Sequence, residues 1–568
     1  MSMPGLLRNK LSAVLLNRYT AFIAGMFCYS MLIKRLGGLG GISILTEYLE
    51  ITLVLYLYYY FNRILRPSRW QALLAALPIF LAYLGQDLYY LMYGKVFRII
   101  EFTEVPELLE VLPAKSLILV IVTAVIPLVV FLLSIDRRKV SALVVGALPL
   151  LGVGCSAEFL SQAYASTFES LGKEIVFWSD GASVENNGRF AMLLYREAER
   201  KISNDKTQLF RNRPAYDEKA QRLAGWISKE SINKNVHVVV MESLLDPTLF
   251  RGAKYTRNPI HPSFRKLFGN KAGLSVSPVF GGKTSQAEFE VLCGVPAFQE
   301  LAGVEFNAFT GSPAYCLPGL LKLSGYRTIA SNAYKPNFFN TIPAYTGIGF
   351  GEIHFPREYS GDANSYITTG DTKREGYMFD ATLFAQNLEF ISNIIKDKKS
   401  PPIFNYVLTI YGHMPHLINA QKRPPVLKLE AKFSDPQLER SANQFYYRSQ
   451  AIAEYVNKLI KIDKNSLIIL VSDYVPPLQY GPTTYRNLRY LDNREDSIHM
   501  NRVLIIENGV VRKYTTIHHY DVPKLVLNYI SHGDYCRENS CGFAENRFND
   551  DRLAMHDKYM SLMAHATE

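Results

Sequence analysis

A side-chain hydroxyl becomes a nucleophile where a positive field awaits the group it attacks and something nearby can take its proton. In this 568-residue sequence the segment SPVFGGKTSQAEFEVLCGVP, residues 277–296, offers those conditions. Gly281 and Gly282 allow a tight backbone turn, and Thr284 then stands where a helix would begin, with Ser285, Gln286 and Glu288 suited to its first turn. A hydroxyl there sits beside free N–H groups and the positive end of the helix dipole, which together favour a phosphate. A bound metal would lower the hydroxyl's pKa and make it nucleophilic. Read alone, GGKTS is more simply a plain helix cap. Three further groups sit where apolar runs stop: Glu242 ends VHVVVMES, His413 follows PIFNYVLTIYG, and Asp473 ends SLIILVSD. Taken singly, Glu242 also reads as a strand-end surface acid and His413 as a loop histidine; His416 reads as a bystander.

The elements that must position these groups follow from hydrophobic patterning. Residues 236–243, 326–331, 402–412, 466–473 and 500–509 are short, nearly continuous apolar runs, the pattern of strands covered on both faces. Helical patterns separate them, notably over 377–397 and 438–461, which predicts an open α/β sandwich with a central, mainly parallel sheet over residues 231–568. Such sheets carry their chemistry just beyond the carboxyl ends of the strands, where Glu242, His413 and Asp473 fall.

The first 160 residues differ in kind. Apolar stretches at about 14–34, 42–61, 70–92, 115–134 and 140–160 approach the roughly 20 residues that cross a bilayer as a helix. They predict a five-helix transmembrane domain over 1–160, followed by a linker with juxtamembrane helices over 161–230. Arg8 and Lys10, then Arg63, Arg66 and Arg69, then Arg137, Arg138 and Lys139 fall on one side if the N-terminus is cytoplasmic, leaving Lys34 and Arg35 as the dissenting pair. Five crossings from that start put everything after residue 160 outside. Glu104, Leu108, Leu109 and Leu112 have the spacing of a short interfacial helix, a solvated connector being the alternative. Glu47, Glu50 and Asp87 are too few, and no Gly/Pro-broken pair of spans repeats, for a transporter reading.

The net charge of +11 is unaccompanied by any Lys/Arg block of five or more, zinc-finger spacing or RNA-binding signature, so nucleic acid is not an expected partner. Cys293, Cys316, Cys536 and Cys541 all lie in the outer part, an oxidising compartment. Cys536 with Cys541 is the preferred pair and Cys293 with Cys316 the other, free buried thiols being the alternative.

The ordered set MES, GGKTSQAEFEVL, TIYGHMPH and VSD, behind five spans, resembles the lipoteichoic-acid-synthase and phosphoglycerol-transferase group of the alkaline phosphatase (sulfatase) superfamily. The resemblance implies that Glu242, Asp473 and Thr284 are ligands of a divalent metal (Mn, Zn or Mg), that Thr284 is also the nucleophile, and that His413 contacts the transferred phosphate or protonates a leaving group. It further implies a phospholipid donor, phosphatidylglycerol or phosphatidylethanolamine, an exported glycan acceptor, and a bacterial cytoplasmic-membrane location with the catalytic domain outside. Two segments depart from the group. Tyr474 stands where a fourth ligand, histidine, is usual, so it binds as a phenolate, His499 or water completes the shell, or metal binding is lost. SNAYKPNFFNT, residues 331–341, replaces the group's histidine, tryptophan and arginine, with Lys335 as a substitute cation and Phe338 or Phe339 as an aromatic wall, or else as a plain turn with buried phenylalanines. Phosphoglycerol transfer leads; phosphoethanolamine transfer, a non-catalytic glycan-binding role and simple ester hydrolysis are the alternatives.

Overall fold

The structure is a computed structural model and describes residues 17–39, 48–93, 96–111, 114–175, 180–212, 214–231, 234–360, 365–369, 376–543 and 548–568. Arg8, Lys10, Glu47 and Leu112, invoked above, lie outside these ranges. Two compact units, Met1–Asp205 and Lys206–Glu568, are described separately.

In the first unit, helices run over Arg18–Arg35, Tyr48–Ile64, Gln71–Tyr93 and Val140–Phe159, and over 114–133 through a π turn at Ile121–Val125. Among the described residues, two stretches are long and apolar enough to cross a membrane, Gln71–Leu91 and Val140–Phe159; Leu117–Leu133 is a shorter apolar helix. The 64–66 and 134–139 connections meet: Arg66 N–H donates to the Ser134 carbonyl at 3.0 Å, Asp136 N–H to Ile64 at 2.9 Å, and Lys139 Nζ to Leu65 at 2.7 Å. The two basic clusters therefore share one end of this unit. Elsewhere in the unit, buried Asp87 accepts from Arg189 at 2.8 Å, and Glu50 accepts from the Phe190 and Ala191 N–H groups at 3.1 and 2.9 Å. The acids inside apolar helices thus satisfy the start of the Arg189–Thr207 helix, as buried charges must be satisfied by something.

The second unit is built on one large sheet. Its strands are β1 (Val236–Met241), β2 (Gly273–Val276), β3 (Arg327–Asn332), β4 (Glu352–His354), β5 (Ile403–Leu408), β6 (Leu467–Ser472), β7 (Met500–Glu507), β8 (Val510–Arg512) and β9 (Ile517–His518). Their order is β9-β2-β7-β6-β1-β5-β3-β4, with β8 beside β7. The run β6-β1-β5-β3-β4 is parallel, but β7 is antiparallel to β6, β2 and β8. The sheet is mixed rather than mainly parallel throughout. The physical reason is the connection 473–499: a parallel neighbour needs a crossover back along the sheet, whereas this segment enters β7 from the end where β6 finishes.

Alternate residues of β1 explain why its sequence is apolar throughout. Val236, Val238 and Val240 enter one core with Phe289, Leu292, Leu320 and Val526, while Val239 and Met241 enter another with Leu383, Ile452 and Val456. Each face is covered by helices, which leaves the carboxyl edge of the parallel strands as the place where polar side chains can gather.

Candidate active site

Thr284 opens the helix Thr284–Cys293 at that edge. The preceding turn needs its glycine: Gly281 has φ +77°, and a Cβ there would lie 3.1 Å from Pro477. Gly281 N–H donates to the Val475 carbonyl at 3.1 Å, which ties the turn to the segment after Asp473. Lys283 occupies the N-cap with left-handed φ 63° and makes no side-chain capping hydrogen bond, so the helix start is not closed off by its own cap. The helix is anchored behind by Glu288, which accepts from Tyr406 at 2.7 Å and from Tyr345, and by Gln286, whose amide bonds the backbone of Gly303 and Glu305. Burial pushes the Glu288 carboxyl above its usual range. At the far end Cys293 is bonded to Cys316, S–S 2.02 Å, and Cys536 to Cys541, S–S 2.19 Å.

Glu242, just past β1, is the hub of the site. Its Oε2 accepts from Thr284 Oγ1 at 2.9 Å, and its Oε1 from Tyr474 Oη at 2.7 Å and Ser243 Oγ at 2.8 Å. Asp473, just past β6, is fully buried; its Oδ1 accepts from the N–H groups of Ser243 at 2.7 Å and Tyr474 at 2.6 Å, while its Oδ2 has no hydrogen-bond partner. Burial, then the adjacent Glu242 charge, pushes the Asp473 carboxyl well above its usual range. Burial and both acids likewise push the Tyr474 phenol up. Two neighbouring buried carboxylates repel unless a proton or a cation lies with them, and an unsatisfied carboxylate oxygen is an open coordination direction. The residues present therefore fit a hard divalent cation: Glu242, Asp473 and the Thr284 hydroxyl would hold it through oxygen, with the Tyr474 hydroxyl beside them. Among the described residues no three His, Cys, Asp or Glu side chains form a metal-type cluster, so this set would depend on hydroxyl oxygens. His499 turns its Nδ1 to the Ser277 carbonyl at 3.1 Å.

His413 lies on the loop after β5, half-buried, its Nδ1 2.9 Å from the Met414 carbonyl and 3.2 Å from Tyr377 Oη. His416 is fully buried and held neutral, its pKa pushed down to about 3 chiefly by burial. Lys335 Nζ lies 5.8 Å from the Tyr334 ring centroid, Tyr334 lies 6.3 Å from Tyr377, and Tyr377 lies 5.2 Å from His413. The 331–341 segment is thus joined to His413 through aromatic rings. Phe339 packs on Phe338 at 4.5 Å and against the apolar core, with a left-handed φ of 48°. Tyr377, Tyr334 and Ser243 were not singled out from the sequence. For Ser243 a signal existed, since it directly follows Glu242; Tyr377 and Tyr334 carried none, because their neighbours come from other strands and loops.

A family model described as Sulfatase matches residues 234–532. A relative from Rhizobium meliloti (strain 1021), named for modification of cyclic β-1,2-glucan, is 27% identical over 261 residues, 44% of this chain and 37% of its own length. The present chain therefore spans well under half of that relative. Similar solved structures include the Streptococcus pyogenes phosphoglycerol transferase GacH in complex with sn-glycerol-1-phosphate, at 18% identity and TM-score 0.48 over 64% of this chain and 92% of that one. The lipoteichoic acid synthase LtaP from Listeria monocytogenes matches at 16% identity and TM-score 0.41, over 55% and 78%. With the matched span enclosing Glu242, Thr284, His413 and Asp473, the chain belongs to the sulfatase family.

Proposed function

We propose that this protein is a membrane-bound, metal-dependent phosphoglycerol transferase that moves the headgroup phosphate ester of phosphatidylglycerol to an exported glycan through a phosphothreonine on Thr284. The observation that carries this reading is the Thr284 hydroxyl at an uncapped helix start, donating to Glu242 at 2.9 Å. Thr284 Oγ1 attacks the phosphorus, its proton passing to Glu242 Oε2; the bond from phosphorus to the diacylglycerol oxygen breaks, and His413 protonates that oxygen as it leaves. In the second half a glycan hydroxyl attacks the same phosphorus, its proton is taken up at His413, and Thr284 regains the proton held at Glu242. The N–H groups opening the helix face the phosphoryl oxygens in both halves. Glu242, Asp473 and Thr284, beside the Tyr474 hydroxyl, would hold a divalent metal that would supply Lewis-acid charge, and oxygen donors suit Mg or Mn better than Zn. Lys335 and the aromatic chain from Tyr334 to Tyr377 lie on the side where the donor or acceptor enters, with Phe339 behind them.

In this reading residues 1–160 cross the bacterial cytoplasmic membrane five times, residues 161–230 form the linker and juxtamembrane helices, and residues 231–568 form the catalytic domain outside. The meeting of the 64–66 and 134–139 connections supports a common cytoplasmic end for their basic residues. The spans supply nearness to a lipid donor that a freely diffusing ester would not require. The full chain in vesicles of tagged phosphatidylglycerol with Mn²⁺ is expected to release tagged diacylglycerol, and Thr284→Ala to lower the rate by at least about 10³-fold. Equal release by the variant at equal abundance would remove Thr284 from the mechanism. Vesicles of tagged phosphatidylethanolamine run in parallel distinguish the alternative headgroup.

A further inference from the structure

We infer that Arg440, Gln444 and Arg448 are positioning residues, one stripe of the helix Pro436–Ile462 that holds the His413 loop in place against the Glu242 turn. The inference rests on the roles proposed above for His413 and Glu242. Spaced by four, the three side chains lie on one helix face. An ordinary helix of this fold would present apolar residues along a buried stripe, and Gln444 and Arg448 are each only 2% exposed. What they meet explains the exception. Arg440 Nε donates to the Pro415 carbonyl at 3.1 Å, Gln444 Nε2 to the carbonyls of Leu417 at 3.0 Å and Tyr411 at 3.3 Å, and Arg448 Nη1 to that of Ser243 at 3.4 Å. Carbonyls in a loop have no ladder partners, and those shut away from water must find donors elsewhere. Here one rigid helix provides them on both sides of His413 and just after Glu242.

Two further observations bind the loop and the turn together. A Cβ on Gly412 would lie 2.0 Å from the Glu242 carbonyl oxygen and 2.3 Å from Arg448 Nη1, so the residue before His413 is packed directly between them. Arg448 Nε is also paired at 2.6 Å with Asp380, which is fully buried. That charge-assisted pair fixes the guanidinium. The placement of His413 relative to Glu242, and hence to Thr284, is set by a helix that touches none of the reacting atoms.

The test is a double-mutant cycle in the full-length chain, in vesicles of tagged phosphatidylglycerol with Mn²⁺, following tagged diacylglycerol release. Gln444→Met removes both hydrogen bonds from Gln444 to the loop, and we expect kcat to fall about 10- to 100-fold with KM and bound metal little changed. In a His413→Ala background the same substitution is expected to cause no further loss, because the group it positions is already gone. Equal losses in both backgrounds, or no loss in either, would overturn the inference. Half-buried Arg440 gives a second cycle should Gln444→Met fail to fold: Arg440→Met is expected to lower kcat only when His413 is present, and Arg440→Lys to restore part of it. Full activity in Thr284→Ala would instead sink the underlying mechanism, a separate outcome from additivity in these cycles.

Discussion

Thr284 is one hydrogen bond from a carboxylate that Tyr474 and Ser243 hold from its other side, so in the proposed mechanism the proton path from the hydroxyl and the orientation of its acceptor are built together. This arrangement makes Tyr474 informative. As a neutral phenol it donates to Glu242 Oε1, and a group that orients a metal ligand typically contributes 10- to 100-fold in metal affinity. Tyr474→Phe is therefore expected to weaken Mn²⁺ binding by about 10-fold or more in calorimetric titration of the full chain, while Tyr474→His, which brings a ligand of its own, keeps it. Unchanged affinity in the phenylalanine variant would show that the hydroxyl takes no part in the metal site. The residues at the ends of apolar runs were legible in the sequence, because strand ends and the GG turn are local patterns. The donation from Tyr474 was not, since it joins positions brought together only by the β1–β6 register.

At the level of elements, the nucleophile helix is held at both ends, by the Gly281 turn and by the Cys293–Cys316 bond. A disulfide closing a loop of this size stabilises by about 3 kcal/mol, chiefly through the unfolded chain. Replacing both cysteines with alanine should lower the melting temperature of the oxidised protein, and reductant should lower the parent's melting temperature toward the variant's. A reductant-insensitive parent would contradict the bond. Strand β4 is pinned to β3 by Arg327 and Glu352, and the guanidinium draws the Glu352 carboxyl down from 4.5 to about 2. A carboxyl lowered on folding adds stability that is complete above about 4.5 and lost as pH falls through about 2. Glu352→Gln should therefore lower the melting temperature at pH 7, with the gap to the parent narrowing as pH falls below 4.5; a gap independent of pH would contradict the pairing. The strands were readable from their apolar runs, yet the direction of β7 was not: burial on both faces makes residues 500–507 apolar whichever way they run, and direction is decided by the path of residues 473–499. Nor could the buried stripe on Pro436–Ile462 be distinguished from an ordinary polar helix face before its partners were known.

For the whole molecule, the proposed reading depends on which side of the membrane each unit lies. The basic connections at 63–69 and 137–139 belong on the cytoplasmic side if the account is right, and the sulfatase-family domain on the other. Ser68→Cys should react with an impermeant maleimide only after the cells are permeabilised, whereas protease added to intact spheroplasts should reach residues beyond 230; labelling of Ser68→Cys in intact cells would reverse the topology. The division into an apolar and a globular part was plain from composition, while the buried contacts of Glu50 and Asp87 with residues 189–191 were not, because nothing local pairs an acid in one apolar stretch with a backbone far along the chain. The most direct test of the central claim is peptide mass spectrometry of the full-length chain, acid-quenched after brief incubation with phosphatidylglycerol vesicles and Mn²⁺ without an acceptor. The account predicts the peptide bearing Thr284 with the added mass of one glycerophosphoryl group, absent in Thr284→Ala and without metal; diacylglycerol release with that peptide unmodified, or the group on another residue, would contradict it.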